Sequence, residues 1–204
     1  MIFELKTPLT EETIRKLKVG TIVYLSGVIF TLRDQGHRRV IEEAKKGKKP
    51  PMDMKGLAVF HAGPIVKKVD NKWRIISIRS DNKHKNGTYR TRIHQTNRNK
   101  MVIGKGGMGP ETAKACRDYG AVYAELTGGT ASLITKSITK VLDVRWLDLG
   151  IPEALWILEV RKLGPLIVTI DAEGNNLREK VMRKAKETYE RINKIYEGIL
   201  ANLI

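Results

Sequence analysis

The sequence is poor in cysteine and in long hydrophobic runs, and each shortage excludes a class of protein. Cys116 is the only cysteine among 204 residues, so the chain has neither a disulfide framework nor a set of chelating thiols. We therefore expect that this chain alone holds no iron–sulfur cluster, structural zinc or other metal. No apolar run approaches the roughly 20 residues of a membrane span. Because the first residues also lack a signal-peptide pattern, we expect a cytoplasmic protein.

Acidic residues are few compared with basic ones. The chain has 22 Asp and Glu against 38 Lys and Arg, which gives a formal net charge of +16. Such a charge favours anionic partners, whether nucleic acid, an acidic protein or small carboxylates. With 41% hydrophobic residues, a chain of this length is able to bury a core without disulfides or metals.

Short β-branched and aromatic runs are mixed with helical segments along the chain. This pattern predicts one compact α/β domain over residues 1–204. The strands outnumber those of a simple βαβ alternation, so we expect a mixed sheet; two of them are predicted at residues 154–163 and 165–170. Gly27 lies inside a strand run and predicts a bulge or bend there. Over residues 175–204 apolar side chains recur at helical spacing, which predicts a long C-terminal helix.

A glycine-rich sequence, GKGGMGPETAK, follows a short strand and opens a helix at residues 104–114. Its glycines match the pattern G-x-G-x-x-G, and Glu125 lies near the position of a ribose-binding acid, as in a dinucleotide site. The same glycines also suit a tight turn that needs positive φ angles. A third interpretation is an anion site, in which backbone N–H groups at the helix start act with Pro110 at the first helical position and the charge of Lys105. The anion could be a phosphate or a carboxylate.

A second polar cluster stands at the end of the strand in SGVIFTLRDQGHRR. The strand end brings Thr31, Arg33, Asp34 and His37 into one short turn and the start of a helix. Arg33 is able to bind a carboxylate through two parallel hydrogen bonds, and Asp34 is able to orient either Arg33 or His37. The alternative is an exposed, charged helix start with His37 as an ordinary surface residue.

Four separated motifs, taken in order, resemble a known family. They are SGxxxTxRDxxHxR, then HAGP, then IGKGGM, then LGIPEALWILEV. The chain resembles, from about Leu5 to about Asp171, the β subunit of two-subunit class I fumarases and tartrate dehydratases. The same unit forms the C-terminal domain of the fused enzymes.

The resemblance implies a hydro-lyase half-enzyme. In this family the α subunit carries an iron–sulfur cluster on its own cysteines, and one iron of that cluster is a Lewis acid. The β subunit supplies cationic and polar groups for a dicarboxylate. The expected activity is the reversible hydration of fumarate to L-malate, with tartrate dehydration as the alternative. The resemblance also implies a single mixed-sheet domain of the swivelling β/α type, working in a heterotetramer or as a β dimer.

The resemblance also assigns site residues. Carried over by position, the catalytic group consists of Arg33, Lys105, His37 and Asp34. The substrate-binding positions are Thr31, Gly104, Gly106 and Gly107. Because a four-carbon dicarboxylate is short, we expect Arg33 and Lys105 to face one cleft that is open where a partner docks. A dianion needs two such basic turns, and the sequence contains two.

One family motif, close to GPTTxxRM, is missing from its place after the strand KWRIISI. The segment 79–100 stands there instead, rich in Lys, Arg, His and Asn and with few large apolar residues. With the codons CGG TCC GAC AAC AAG CAT AAG AAT GGA ACT, residues 79–88 read one base later as Gly-Pro-Thr-Thr-Ser-Ile-Arg-Met-Glu. We therefore interpret segment 79–100 as the product of two compensating frameshifts, in the gene or in its reading. The alternative is a genuine basic insertion loop.

A function of a different class also follows from the basic segment. A chain with a net charge of +16 and such a loop could be a nucleic-acid-binding protein. That interpretation needs aromatic side chains interleaved with the basic ones, and in segment 79–100 Tyr89 is the only aromatic residue besides the histidines.

Overall fold

The computed structural model describes residues 1–80, 99–127 and 129–201. The strands are β1 (Ile2–Lys6), β2 (Ile22–Thr31), β3 (Ala58–Phe60), β4 (Ala62–Val69), β5 (Lys72–Ser80), β6 (Met101–Gly104), β7 (Val122–Leu126), β8 (Ile138–Arg145) and β9 (Leu155–Ile170). The helices are α1 (Glu11–Arg15), α2 (Asp34–Lys45), α3 (Pro110–Tyr119), α4 (Ala131–Ser137) and α5 (Leu177–Ala201), with a 3₁₀ turn at Leu147–Leu149. Most of segment 79–100, for which we predicted a shifted reading frame, lies outside the described residues.

The main sheet has the strand order β1-β2-β3-β6-β7-β9-β8. Its first five strands in this order run parallel, and β9 runs antiparallel to β2, β7 and β8. Because β9 pairs with β2 as well as with β7, the sheet closes on itself around β2, β3, β6, β7 and β9. The predicted mixed sheet in one α/β domain is therefore confirmed, whereas its closure was not predicted.

Strand β9 is one strand of 16 residues where two were predicted. Lys162, near the end of the first predicted run, takes a positive φ of 50°, and Gly164 separates the two runs, yet pairing with β2 continues from Val160 to Leu163 and Leu166. A bend inside a strand resembles a break in the sequence, because both disturb the alternation of side chains. The length of β9 allows it to pair with β2, β7 and β8.

Gly27 has the irregular position in β2 that was predicted. Its φ is +100°, and the register with β9 shifts between Leu25 and Gly27. A Cβ atom at this position would meet the backbone of Thr7 at 3.2 Å. The bulge therefore needs glycine both for its backbone angles and for the close approach of residue 7.

Strands β4 and β5 form a separate antiparallel hairpin. Its two-residue turn consists of Asp70 and Asn71, which have φ angles of 47° and 58°. Residues with short polar side chains adopt such angles more easily than others, and positive φ at both turn positions suits the twist of a hairpin. The charged residues before this turn, Lys67 and Lys68, belong to the end of β4.

The core has two layers, because successive side chains of each strand point to opposite faces. One cluster includes Leu25, Ile103 and Trp156. The other, which includes Phe30 and Cys116, contains side chains of α2 and α3 and therefore lies between the sheet and these helices.

The C-terminal helix α5 was predicted from its periodicity and is present, starting at Leu177. Most of its side chains are exposed. Among the described residues, α5 included, none of the helices combines the length and the apolar composition that a membrane crossing requires.

Candidate functional site

The two basic turns predicted from the sequence lie on one edge of the sheet. Thr31 at the end of β2 is paired with Phe60 of β3, and Phe60 is paired with Ile103 of β6. Since these three strands are parallel, their carboxyl ends meet at the same edge. The residues that follow the strand ends are Arg33, His61 and Lys105, with the turn of Arg33 and that of Lys105 separated by β3. Two strand spacings correspond to roughly 10 Å between these turns.

The glycine loop, residues Gly104–Gly109, carries Lys105 between β6 and α3. A Cβ atom on Gly104 would collide with the ring of Tyr123, whose hydroxyl donates a hydrogen bond of 2.7 Å to the carbonyl of Gly106. Gly106 has a φ of +74°. Helix α3 then begins with Pro110 at its first position and with Gly109 as a cap that has no side chain. The loop is thus held by β7, and the helix start leaves backbone N–H groups for an anion.

Lys105 is half-buried and lines an open cavity of about 720 Å³ together with Glu125, Thr169 and Arg178. Glu125 is 15% exposed; it accepts a hydrogen bond of 3.0 Å from Thr169 Oγ1 and lies 3.5 Å from Arg178 Nε. Glu125, which also suited a ribose-binding acid in the dinucleotide interpretation, therefore forms an ion pair inside the chain. This cavity presents two cations and one carboxylate that is already engaged.

The start of helix α5 is attached to the glycine loop. Asn176 Nδ2 donates a hydrogen bond of 2.9 Å to the carbonyl of Met108. Its Oδ1 accepts hydrogen bonds from the backbone N–H groups of Arg178 and Glu179, at 3.1 and 3.4 Å, which caps the helix. The side chain of Arg178 crosses Gly107 so closely that a Cβ atom there would collide with it. The backbone of the loop and the first turn of α5 therefore hold each other in place.

Arg33 is the residue before the first turn of α2 and is held by Glu153. Arg33 Nε lies 3.5 Å from Glu153 Oε1, and the side chains are 26% and 21% exposed. The other carboxylate oxygen, Oε2, accepts a hydrogen bond of 2.9 Å from the backbone N–H of Gln35. The carboxylate of Glu153 therefore accepts a hydrogen bond from a free backbone N–H in the first turn of α2 and also orients Arg33. Glu153 lies in the motif LGIPEALWILEV but was not predicted as a site residue.

A buried histidine pair lies beside Arg33. His37 Nε2 and His61 Nδ1 are 3.2 Å apart, and the rings are stacked with centroids 5.3 Å apart. His61 Nε2 lies 4.0 Å from Asp34 Oδ1. When both rings are neutral, one facing nitrogen must donate and the other must accept, so each ring fixes the tautomer of the other. His61 was missed as a site residue, although the motif HAGP that contains it was noticed.

Thr31 lies inside the core, behind this cluster. It is fully buried, and its Oγ1 accepts a hydrogen bond of 3.2 Å from the backbone N–H of Trp156. Its hydroxyl therefore connects the end of β2 to the start of β9. A contact between Thr31 and a substrate stays a prediction.

The first end of segment 79–100 lies at this edge of the sheet, whereas its second end lies at the opposite edge, where the N–H of Lys100 donates a hydrogen bond of 3.1 Å to the carbonyl of Leu57. Ser80 Oγ donates a hydrogen bond of 3.0 Å to the carbonyl of His61. Arg79 and Ser80 also line a second cavity, of about 430 Å³, in which Lys105 and Thr127 take part. The chain thus leaves the described region beside Lys105 and returns at Asn99, two residues before β6.

Cys116 does not suit an iron–sulfur cluster. It is fully buried on α3, and its burial, with a smaller contribution from the carboxylate of Asp171, raises the pKa of the thiol to about 12. A cluster ligand must be a thiolate that reaches the metal. Cys116 is therefore unsuitable as a ligand for a cluster at this site.

Comparison with known proteins gives a consistent set of relatives. Residues 2–181 match the family model described as the fumarase C-terminus. The chain is 42% identical over 188 residues to a protein of Methanocaldococcus jannaschii assigned as an L(+)-tartrate dehydratase subunit beta, covering 92% of this chain and 95% of that one. It is 38% identical over 196 residues to the L(+)-tartrate dehydratase subunit beta of Escherichia coli K12, covering 96% and 94%.

A longer relative contains the same unit as one part. A protein of Geobacillus stearothermophilus assigned as a class I fumarate hydratase is 33% identical over 201 residues. The match covers 98% of this chain but 37% of that protein. The same region therefore occurs both as a separate subunit and within a longer chain.

Proposed function

This chain belongs to the fumarase C-terminus family, and from that premise we propose that it is the β subunit of an iron–sulfur-dependent hydro-lyase. Together with a cluster-bearing α subunit it catalyses the reversible hydration of fumarate to L-malate. The observation that carries this proposal is the position of Arg33 and Lys105 after parallel strands that end at one edge of the sheet. The domain is then of the swivelling β/α type, and the enzyme is a cytoplasmic heterotetramer or contains a β dimer.

The residues of this chain bind and orient the substrate. Arg33, held by Glu153, contacts one carboxylate through two parallel hydrogen bonds, and Lys105 contacts the other. A four-carbon dicarboxylate is shorter than the separation of the two turns, so both cationic side chains must extend over the end of β3, above His61, when the substrate binds. Asp34 and the histidine pair keep the start of α2 in position for this contact. Gly104, Gly106 and Gly107 let the loop backbone approach the substrate closely.

Tartrate is the second candidate substrate. The relatives that are 42% and 38% identical are named for tartrate dehydratase, whereas the relative named for fumarate hydratase is 33% identical. Both substrates are four-carbon dicarboxylates whose conversion removes or adds water, so the same pair of cations suits either. The two must be compared on the same enzyme preparation.

Segment 79–100 bears on this proposal, because the family motif GPTTxxRM belongs there. We propose that the active protein carries this motif in place of the basic segment. Two observations support this: Ser80 is hydrogen-bonded to the carbonyl of His61, and Arg79 lines a cavity with Lys105. A motif that begins at this point of the chain lies next to the residues that bind the substrate.

The proposal is tested by reconstitution. The purified chain alone has no hydratase or dehydratase activity and no brown colour. Anaerobic mixing with the cluster-bearing α subunit from the same genome yields activity, measured separately with fumarate and with tartrate through the absorbance of the unsaturated acid or the release of oxaloacetate. Activity of the isolated chain in air, or no activity of a mixture whose α subunit carries an intact cluster and whose β chain has the restored motif, contradicts the proposal.

A further inference from the structure

Helix α5 exposes an apolar face. Its large apolar side chains fall on one side of the helix at spacings of three and four residues, and five of them are 43–65% exposed: Val181, Tyr189, Ile192, Ile195 and Tyr196. We call these five residues the α5 apolar face. A stable amphipathic helix normally buries such a face against another surface. An exposed apolar face of this kind marks an interaction site.

The α5 apolar face begins at the candidate site. Leu177, Arg178, Val181 and Met182, in the first turns of the helix, form one wall of the cavity that Lys105 lines. Val181 belongs to both, so the wall of the cavity continues without a break into the exposed face. A protein that covers the face as far as Val181 therefore lies beside Lys105.

The helix is also fixed relative to Lys105. Asn176 donates a hydrogen bond to the carbonyl of Met108. The side chain of Arg178 crosses Gly107, and its Nε lies 3.5 Å from Glu125 Oε1. A protein bound to α5 is consequently held in a defined position relative to the glycine loop. This is what a subunit needs if it must present a reactive group to a substrate bound at Lys105.

The charges beside the face indicate the chemistry of the partner. Lys180, Lys184 and Arg191 lie along one flank of the α5 apolar face, which follows from the 100° between successive helical residues. In the part of the chain that the structure describes, none of these three has an acidic partner within 4 Å, whereas Lys186 on the other side pairs with Glu190 at 3.9 Å. With Glu187 as the one acid beside these three cations, the flank keeps a net positive charge and suits a partner that is apolar in the centre and acidic at one rim.

A second copy of this chain fits the face less well. In an antiparallel pair of α5 helices the two basic flanks, each with Lys180, Lys184 and Arg191, would face each other. Like charges at close range oppose association. A second copy on α5 would also occupy the space in front of the cavity that Lys105 lines, where the subunit that completes the site must reach.

We propose that the α5 apolar face is the docking surface for the cluster-bearing subunit that completes the site. This inference rests on the proposed function, since it takes the partner from it, and it adds the place of contact. The partner's surface is apolar opposite Ile192 and acidic opposite the flank of Lys184 and Arg191.

The experiment uses the full chain with two apolar-face variants, Ile192→Glu and Tyr196→Glu. Glutamate forms helices at least as well as these residues, so α5 itself is preserved, which far-UV circular dichroism checks. Ile2→Glu, at an exposed apolar residue of the edge strand β1, is the control that adds the same charge elsewhere. Arg183→Ala, on the opposite side of α5, is the control for the helix. Affinity for the α subunit is measured anaerobically by calorimetry, and the mass of the chain alone by light scattering.

We expect the two apolar-face variants to bind the α subunit at least about tenfold more weakly, while both controls bind like the wild type. Wild-type affinity in both face variants overturns the proposal while leaving the proposed function intact. If the chain alone is a dimer that Ile192→Glu converts to a monomer with unchanged α affinity, the face joins two copies of this chain and the proposal is wrong. If the chain with the restored motif neither binds nor activates the α subunit, the proposed function itself fails.

Discussion

The attachment of α5 to the glycine loop predicts a specific loss of stability on Asn176→Ala. The substitution removes the cap of α5, worth about 1 kcal/mol. It also removes the hydrogen bond of 2.9 Å from Asn176 Nδ2 to the carbonyl of Met108, worth a further net contribution of about 1 kcal/mol. The expected total is about 2 kcal/mol, which for a domain of this size lowers Tm by roughly 4–8 °C.

Thermal unfolding followed by circular dichroism measures this loss, with two matched controls. Asn176→Ser keeps a capping oxygen but cannot reach Met108, so it loses about half as much, about 1 kcal/mol. Thr10 caps α1, because its hydroxyl accepts a hydrogen bond of 3.2 Å from the N–H of Thr13. Thr10→Ala removes this cap, so the free energy of unfolding also falls by about 1 kcal/mol. If Asn176→Ala destabilises the protein no more than Thr10→Ala does, the hydrogen bond to Met108 does not hold the loop.

Three further predictions concern other parts of the chain. Glu153→Gln keeps an oxygen for the N–H of Gln35 but loses the ion pair with Arg33, so we expect KM for the dicarboxylate to rise several-fold in the reconstituted enzyme while stability changes by less than about 1 kcal/mol; an unchanged KM means that Glu153 does not orient Arg33. Burial raises the pKa of the Cys116 thiol from 9.0 to about 12, so the stabilisation from the protonated thiol is complete below about pH 9 and is lost as the pH rises towards 12. Unfolding at several pH values measures this trend, and rapid reaction of native Cys116 with a thiol reagent at pH 8 is the contrary result. Finally, intact-mass spectrometry of the protein from its native source, with resequencing of the gene, should give a GPTT-type motif in segment 79–100; a mass equal to that of the printed sequence refutes the frameshift interpretation.

The sequence predicts those parts of the fold that depend on local patterns. Gly27 is recognisable as a bulge because glycine inside a β-branched run has few other uses, and α5 is recognisable because its apolar spacing extends over seven turns. The closure of the sheet is not visible in the sequence, because it depends on β9 pairing with β2 and β7 at once. Pairing between distant strands leaves no periodic signal along the chain.

The residues of the candidate site were likewise only partly predictable from the sequence. Arg33 and Lys105 are recognisable because each stands beside a helix start, where the sequence around it already favours an anion. Glu153, His61 and Arg178 approach these turns from distant parts of the chain. Glu153 and His61 could have been predicted as site residues, since the motifs quoted from the sequence contain them. Arg178 carries no sequence signal other than its place in a helix.

The basic segment, residues 79–100, limits the prediction of function from the sequence in a different way. Its charge contributed to the nucleic-acid interpretation, and residues 81–98 lie outside the described part of the chain. Two of the cations that the structure describes near the candidate site, Arg33 and Lys105, stand at turns for which we propose a small carboxylate.

The central claim is that Arg33 binds a substrate carboxylate, and Arg33→Lys in the reconstituted α–β enzyme tests it most directly. Lysine keeps the charge but not the planar pair of N–H groups, so one bidentate contact is lost, at a cost of about 2–5 kcal/mol in transition-state binding. We expect kcat/KM for the dicarboxylate to fall by about 30-fold or more, with unchanged affinity between the subunits and an unchanged Tm. A kcat/KM equal to that of the wild type would remove Arg33 from the site and contradict the account.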